Sequence, residues 1–246
     1  MVGFFGFVSI PGHGRTPKIY YVKRKGFELL RMESDYEELG TFAEVSPEHT
    51  WTPQMYHRLR LLDLMVALEV QIREFPHVQL VKTFIEYRRH KGTYSRETTD
   101  FVAEPELPEH RIIPDGAFVL ENTETERRGL FFLEMDMGTE RIATKSSKNT
   151  QATVLAKLAQ YDRYLTSGKF AKTYATYGEF RSFILLFVSV GEERIAHIRQ
   201  AASVLSARLH GYYRFTTFEE ANANFLRGVW RNRSSTDTLI YPIIQG

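Results

Sequence analysis

The chain contains no cysteine. That excludes disulfides, zinc–thiolate sites and thiol nucleophiles, so any metal must be held by carboxylates, histidines or water. It also lacks an apolar run of the ~20 residues that a membrane-spanning helix needs. The apolar opening, Met1 to Ile10, has neither a charged leader nor an obvious cleavage site. A cytoplasmic protein without a membrane partner is the expectation. Excess charge of one sign is scarce too: 32 Lys and Arg against 30 Asp and Glu leave a formal net charge of +2, which lends whole-chain charge only weak weight as an argument for nucleic-acid binding. No Gly-rich phosphate loop and no nucleophile elbow occurs. What is present is ordinary for a folded protein. With 246 residues, 43% hydrophobic, the chain can bury a core as one large domain or as a main domain with a small appendage.

The most informative stretch runs from Ile112 to Tyr164. Two apolar runs flank the polar segment Glu121–Gly129, the pattern of two strands joined by a loop with glycine near its end. Asp115 opens the first strand, and Glu134 and Asp136 lie near the end of the second. Residues two apart on a strand share a face, so these two carboxylates are expected on one side. Three acids beside an apolar hairpin have the look of a divalent-metal site. A helix over about Gln151–Leu165 follows, with Lys157, Tyr161 and Tyr164 on one face.

Along the chain, residues 1–33 read as a β-rich unit, 34–50 as a polar linker and 51–246 as an α/β domain. Phe4–Ile10 and Ile19–Val22 are strand-like around the turn cluster Pro11–Pro17, and a helix begins after Lys23. This part is locally basic, with Arg15, Lys18, Lys23, Arg24 and Lys25, a set suited to phosphate contact. It reads equally as a basic edge hairpin packed on the main domain. Thr52-Pro53 starts a helix that ends near Glu74. Leu61, Leu64, Met65 and Leu68 form its buried stripe, and His57 sits one turn earlier, either a core histidine or a group pointing into the site. Val78–Tyr87 is a strand, followed by basic Arg88 and Arg89, further candidates for DNA contact. Gly92–Glu109 reads as a loop, Arg181–Val190 as a buried strand, Arg194–His210 as a helix and Phe215–Thr217 as a last strand. Helix, three strands, helix, strand, helix, strand implies a mixed central sheet flanked by helices.

Two resemblances attach to these residues. Lys18-Ile-Tyr-Tyr-Val-Lys-Arg-Lys-Gly-Phe-Glu-Leu-Leu resembles the wing and following helix of a winged-helix domain, with the helices that precede a wing absent from this chain. Another protein or subunit supplying those elements is one implication. The order of elements, with Pro114-Asp115 at a first acid and Glu134-x-Asp136 at a second, resembles the PD-(D/E)xK nuclease superfamily. Within it the chain is similar to the plasmid replication-relaxation family, through His57-Arg-Leu, Ile113-Pro-Asp-Gly-Ala, Phe132-Leu-Glu-Met-Asp-Met-Gly-Thr-Glu, Lys157-Leu-Ala-Gln-Tyr and Trp230.

The resemblance implies a restriction-endonuclease-like α/β core and a DNA-processing role. Asp115 and Glu134 would bind Mg2+ or Mn2+, with His57 as a further ligand, and a metal-activated water would attack a phosphodiester. The expected lysine beside the second acid is replaced by Asp136. Lys157, with Tyr161 one turn on, is the replacement cation, and Lys145 and Lys148 are loop alternatives. Two readings stay open. One is a Mg- or Mn-dependent DNA endonuclease; the other is a catalytically inactive nuclease-fold module for DNA binding or assembly.

Overall fold

The computed structural model describes residues 4–9, 18–32, 42, 53–85, 88–90, 93–95, 97–144 and 153–244. Arg15, the turn cluster at 11–17, Lys145, Lys148 and nearly all of the 34–50 segment lie outside them, and of Arg88 and Arg89 only the backbone is described. The chain forms two compact units, Met1–Tyr56 with Tyr87–Ser95, and His57–Glu86 with Arg96–Gly246. No helix among the described residues is long and apolar enough to cross a membrane.

In the first unit, β1 (Phe5–Ser9) and β2 (Lys18–Val22) pair antiparallel, and α1 (Arg24–Arg31) follows directly. A second small hairpin, β4 (Arg88–His90) with β5 (Thr93–Ser95), belongs to this unit.

The second unit is built on one sheet. Helix α2 (Pro53–Ile72) begins on proline, whose missing N–H costs nothing in a first turn. Strand β3 (Val78–Ile85) follows. After the short pair β6 (Asp100–Phe101) and β7 (Arg111–Ile112) come the two expected hairpin strands, β8 (Gly116–Asn122) and β9 (Arg127–Asp136). The turn between them is held by Asn122, whose side-chain oxygen accepts from the Glu124 and Thr125 amides at 3.0 Å each. Next are α3 (Val154–Ser167), capped by the Thr153 hydroxyl and closed by Gly168 at φ 69°, and the short α4 (Lys169–Thr173). Strand β10 (Ile184–Ser189), α5 (Glu192–Ala202), β11 (Tyr213–Thr217) and α6 (Phe218–Asn224) complete the unit.

The sheet order is β11-β10-β9-β8-β3, with β8 antiparallel to β3 and β9, and β9, β10 and β11 parallel. This is the mixed α/β architecture that the order of elements implies. Strands β8, β9 and β10 are near-continuous apolar runs because both faces are covered. One face packs on α3 and α5 through Val119, Phe132, Leu158, Phe187 and Ile195; the other packs on α2 and α6 through Leu64, Leu68, Phe118, Leu133, Val188 and Ala221. Trp230 is fully buried in the second core and donates to the Phe225 carbonyl at 2.8 Å.

Three readings are revised. The 92–109 stretch carries strand β6, whose pairing with β7 is secured from outside: the Thr98 hydroxyl donates to the Pro114 carbonyl at 2.7 Å, and Tyr164 and Thr173 donate to Asp100. The helix read over 194–210 stops at Ala202, and a 3-10 turn over Ala207–Tyr212 replaces its second half. Helix α6 was not expected, although Thr217-x-x-Glu220 is a capping box and both of its reciprocal bonds form.

Arg233 gives a measurable handle on this packing. It is fully buried, pairs with Asp162 of α3, donates to the Ser206 carbonyl at 2.8 Å and lies 4.1 Å over the Tyr213 ring. Arg233→Met should cost about 3–5 kcal/mol, because it leaves the Asp162 carboxylate without its buried partner. Adding Asp162→Asn should recover part of that loss. Urea denaturation of the single and double variants checks both; equal stability of Arg233→Met and the parent would contradict the burial of this pair.

Candidate functional site

The pleat of β9 decides where its acids go. Phe131, Leu133 and Met135 enter the core under α2 and α6, so Phe132, Glu134 and Asp136 face α3 and α5. Glu134 and Asp136 therefore share a face, and each meets a cation from a different helix.

Glu134 is buried. Lys157 of α3 donates to its Oε2 at 3.0 Å, and Tyr161, one turn on, donates to Oε1 at 2.5 Å. The i, i+4 spacing brings both groups to one carboxylate. Burial pushes the Glu134 carboxyl up, to about 7; Lys157 draws it down and the neighbouring Asp115 adds to the rise. The Glu134 charge holds Lys157 firmly as an ammonium, with Asp115 and Glu140 assisting. Burial, then Glu134, keep Tyr161 protonated and hence a donor.

Asp115 stands just before β8. Its Oδ2 accepts from the Met135 amide at 2.8 Å and lies 3.2 Å from His57 Nε2 on α2. Burial opposes the Asp115 charge, but the His57 hydrogen bond and the Lys157 charge hold its carboxyl below the usual range. The same hydrogen bond raises the His57 imidazole. His57 thus points at Asp115, and its Nε2 is also hydrogen-bonded to the Met135 carbonyl at 2.9 Å.

Asp136 is engaged elsewhere. Arg194 of α5 grips it with Nε on Oδ2 at 2.5 Å and Nη2 on Oδ1 at 2.8 Å, while reaching the Glu140 carbonyl at 2.7 Å. Ser189, beside Asp136 in the β9–β10 register, also donates to it, as does the Gly138 amide at 3.2 Å. Gly138 has φ 76°, and a Cβ there would come within 2.9 Å of Val190, so the turn leaving β9 requires glycine. Burial works against the Asp136 charge, and the Arg194 and Ser189 bonds hold its carboxyl low.

The donor chemistry bears directly on a hard divalent cation. Asp115 Oδ2 lies 3.2 Å and the Met135 carbonyl 2.9 Å from His57 Nε2; the carbonyl can only accept, so this nitrogen carries the proton until a cation displaces it. Among the described residues no three His, Asp or Glu side chains cluster as a metal site. Asp115 and His57, with the Met135 carbonyl and Glu134 beside them, are the groups that could take up a cation on releasing these hydrogen bonds. Asp115 and Glu134 sit beside two basic groups, His57 and Lys157.

Lys157 and Tyr161 thus join Asp115, Glu134 and His57, while Asp136 turns to Arg194. Arg194 and the Met135 carbonyl were missed, because no local pattern links a residue 58 positions downstream to Asp136. Lys18 is exposed on β2, Lys23 precedes α1, and Arg24 and Lys25 are exposed in its first turn.

A protein-family model described as replication-relaxation matches residues 8–179, well over half of the chain. No curated protein and no solved structure matches it.

The Asp136–Arg194 pair has a defined pH signature. Its folded carboxyl lies below the unfolded value, so its stabilisation is complete above pH ~4 and is lost as pH falls through the lower folded value. Arg194→Ala should cost roughly 3 kcal/mol at neutral pH and flatten the acid limb of the stability curve. Thermal melting across the acid range reads both effects.

Proposed function

The chain belongs to the replication-relaxation family, and from that premise we propose that it processes plasmid or mobile-element DNA at a nuclease-like site that hydrolyses or nicks a phosphodiester with Mg2+ or Mn2+. One observation carries this reading. Where a PD-(D/E)xK nuclease places a lysine two residues after its second acid, this chain has Asp136, yet Lys157 brings an ammonium to Glu134 from the next helix, 3.0 Å away and beside Asp115.

Asp115, His57 Nε2, the Met135 carbonyl and Glu134 would hold the metal ion, which when bound turns a coordinated water into a nucleophile at neutral pH. Lys157 would stabilise the negative charge that grows on the phosphate. Tyr161 fixes the Glu134 carboxylate through its hydroxyl. Asp136, neutralised by Arg194, keeps the exit of β9 in place. Lys18, Lys23, Arg24 and Lys25, together with Arg15, Arg88 and Arg89, supply phosphate contacts that position DNA without reading its sequence.

The second reading, a nuclease fold that binds DNA or assembles without cutting, draws support from a specific feature. Each site acid already meets a basic side chain of its own: Asp115 meets His57, Glu134 meets Lys157 and Asp136 meets Arg194.

Purified protein should nick supercoiled plasmid in Mg2+ or Mn2+. Asp115→Asn, Glu134→Gln and Lys157→Ala should each slow this on the order of a hundredfold or more. Variants that nick as fast as the parent would refute the site. Titration calorimetry separates the readings, since an absence of carboxylate-dependent binding of Mg2+ or Mn2+ would favour the non-cutting module.

A further inference from the structure

The first unit carries a surface that the carboxylate site does not use. In the β1–β2 register Phe5 faces Val22, Phe7 faces Tyr20 and Ser9 faces Lys18, so Phe5, Phe7, Lys18 and Tyr20 share one face of the hairpin. The other face packs on itself: Gly6 pairs with Tyr21, and a Cβ at position 6 would come within 2.3 Å of that ring. On the first face Phe5 and Phe7 are each 53% exposed and Tyr20 is 67% exposed. The Phe7 and Tyr20 rings are 6.3 Å apart, and the Lys18 ammonium sits 4.1 Å over Phe7.

Charge narrows the occupant. Across the described residues of this hairpin and of α1, Lys18, Lys23, Arg24, Lys25 and Arg31 face Glu28 alone. Lys23, Arg24 and Lys25 crowd the N-terminal end of α1, whose first turn holds no acid and where the helix dipole is itself positive. Half-exposed aromatic rings beside an excess of cations complement a chain that alternates flat bases with phosphates. A duplex hides its base faces and leaves the rings only phosphates, sugars and groove edges to meet, and an apolar protein partner has no use for the charge.

We propose that this face of the β1–β2 hairpin is a stacking platform for single-stranded DNA, with bases on Phe5, Phe7 and Tyr20 and phosphates on Lys18 and the Lys23–Lys25 cluster. The stacking rests on the hairpin alone; the choice of DNA over RNA rests on the replication-relaxation reading.

Fluorescence anisotropy of the full chain tests it, using labelled oligo-dT, oligo-U and a blunt duplex of equal length at one salt concentration. Oligo-dT should bind at least about tenfold more tightly than the duplex, and Phe7→Ala and Tyr20→Ala should each weaken it roughly five- to a hundredfold. Tyr20→Phe should retain binding, whereas Lys18→Ala should weaken oligo-dT and duplex alike. If an alanine variant melts early, Tyr20→Trp gives the second measure: oligo-dT must quench its fluorescence and the duplex must not. Equal binding of duplex and oligo-dT, with Phe7→Ala and Tyr20→Ala unchanged, would overturn the platform. So would a dimer in sedimentation that Tyr20→Ala dissolves without any effect on oligo-dT. A clear preference for oligo-U would overturn the DNA assignment while leaving the stacking intact.

Discussion

Glu134 is a carboxylate in the middle of a sheet covered on both faces, and its burial between β9 and α3 sets the terms for everything around it. An ionised acid so placed is costly unless paired and hydrogen-bonded. Lys157 and Tyr161 provide that compensation from a single helix, which fixes the rotation of α3 against the sheet. The compensation is incomplete. Asp115 adds a second negative charge, and burial still lifts the Glu134 carboxyl. That residual burial of charge costs stability.

Each acid of the group is tied to its own helix. Asp115 reaches His57 on α2, Glu134 reaches Lys157 on α3, and Asp136 reaches Arg194 on α5. These are the helices that cover the two faces of the sheet, so polar contacts at one end of β9 reinforce the apolar packing along its length. Breaking one member of such a pair leaves the other buried and uncompensated, which is why the Arg194 and Lys157 variants probe the fold as well as the chemistry. The two units divide the work in the proposed function. The second carries the carboxylates, and the first carries the cations and exposed rings that meet nucleic acid.

Much of this was legible in particular residues. The apolar runs of β8 and β9, separated by Glu121–Gly129, announced a hairpin because continuous apolar runs and turn chemistry are local. Pro53 marked the start of α2 for the same reason, and Lys157 with Tyr161 declared a shared face through helical spacing alone. Other features were beyond local reading. The strand at Asp100–Phe101 depends on Thr98, Tyr164 and Thr173, and α5 ends at Ala202 although the apolar stripe continues. The capping box at Thr217 and Glu220 is, by contrast, a local signal for α6.

By itself the sequence determined the parts: a cysteine-free α/β chain, an acid-bearing hairpin, and a helix offering an ammonium and a phenol on one face. Periodicity, turn residues and helix spacing act over a few positions, and those are what a sequence displays. Tertiary structure alone decided the partners. It turned Asp136 away to Arg194, brought the Met135 carbonyl beside His57, and left the Phe5, Phe7 and Tyr20 rings on an open face. Those outcomes depend on strand register and helix docking between residues far apart in the chain, and charge pairing in a buried site follows distance in space, which no local pattern encodes.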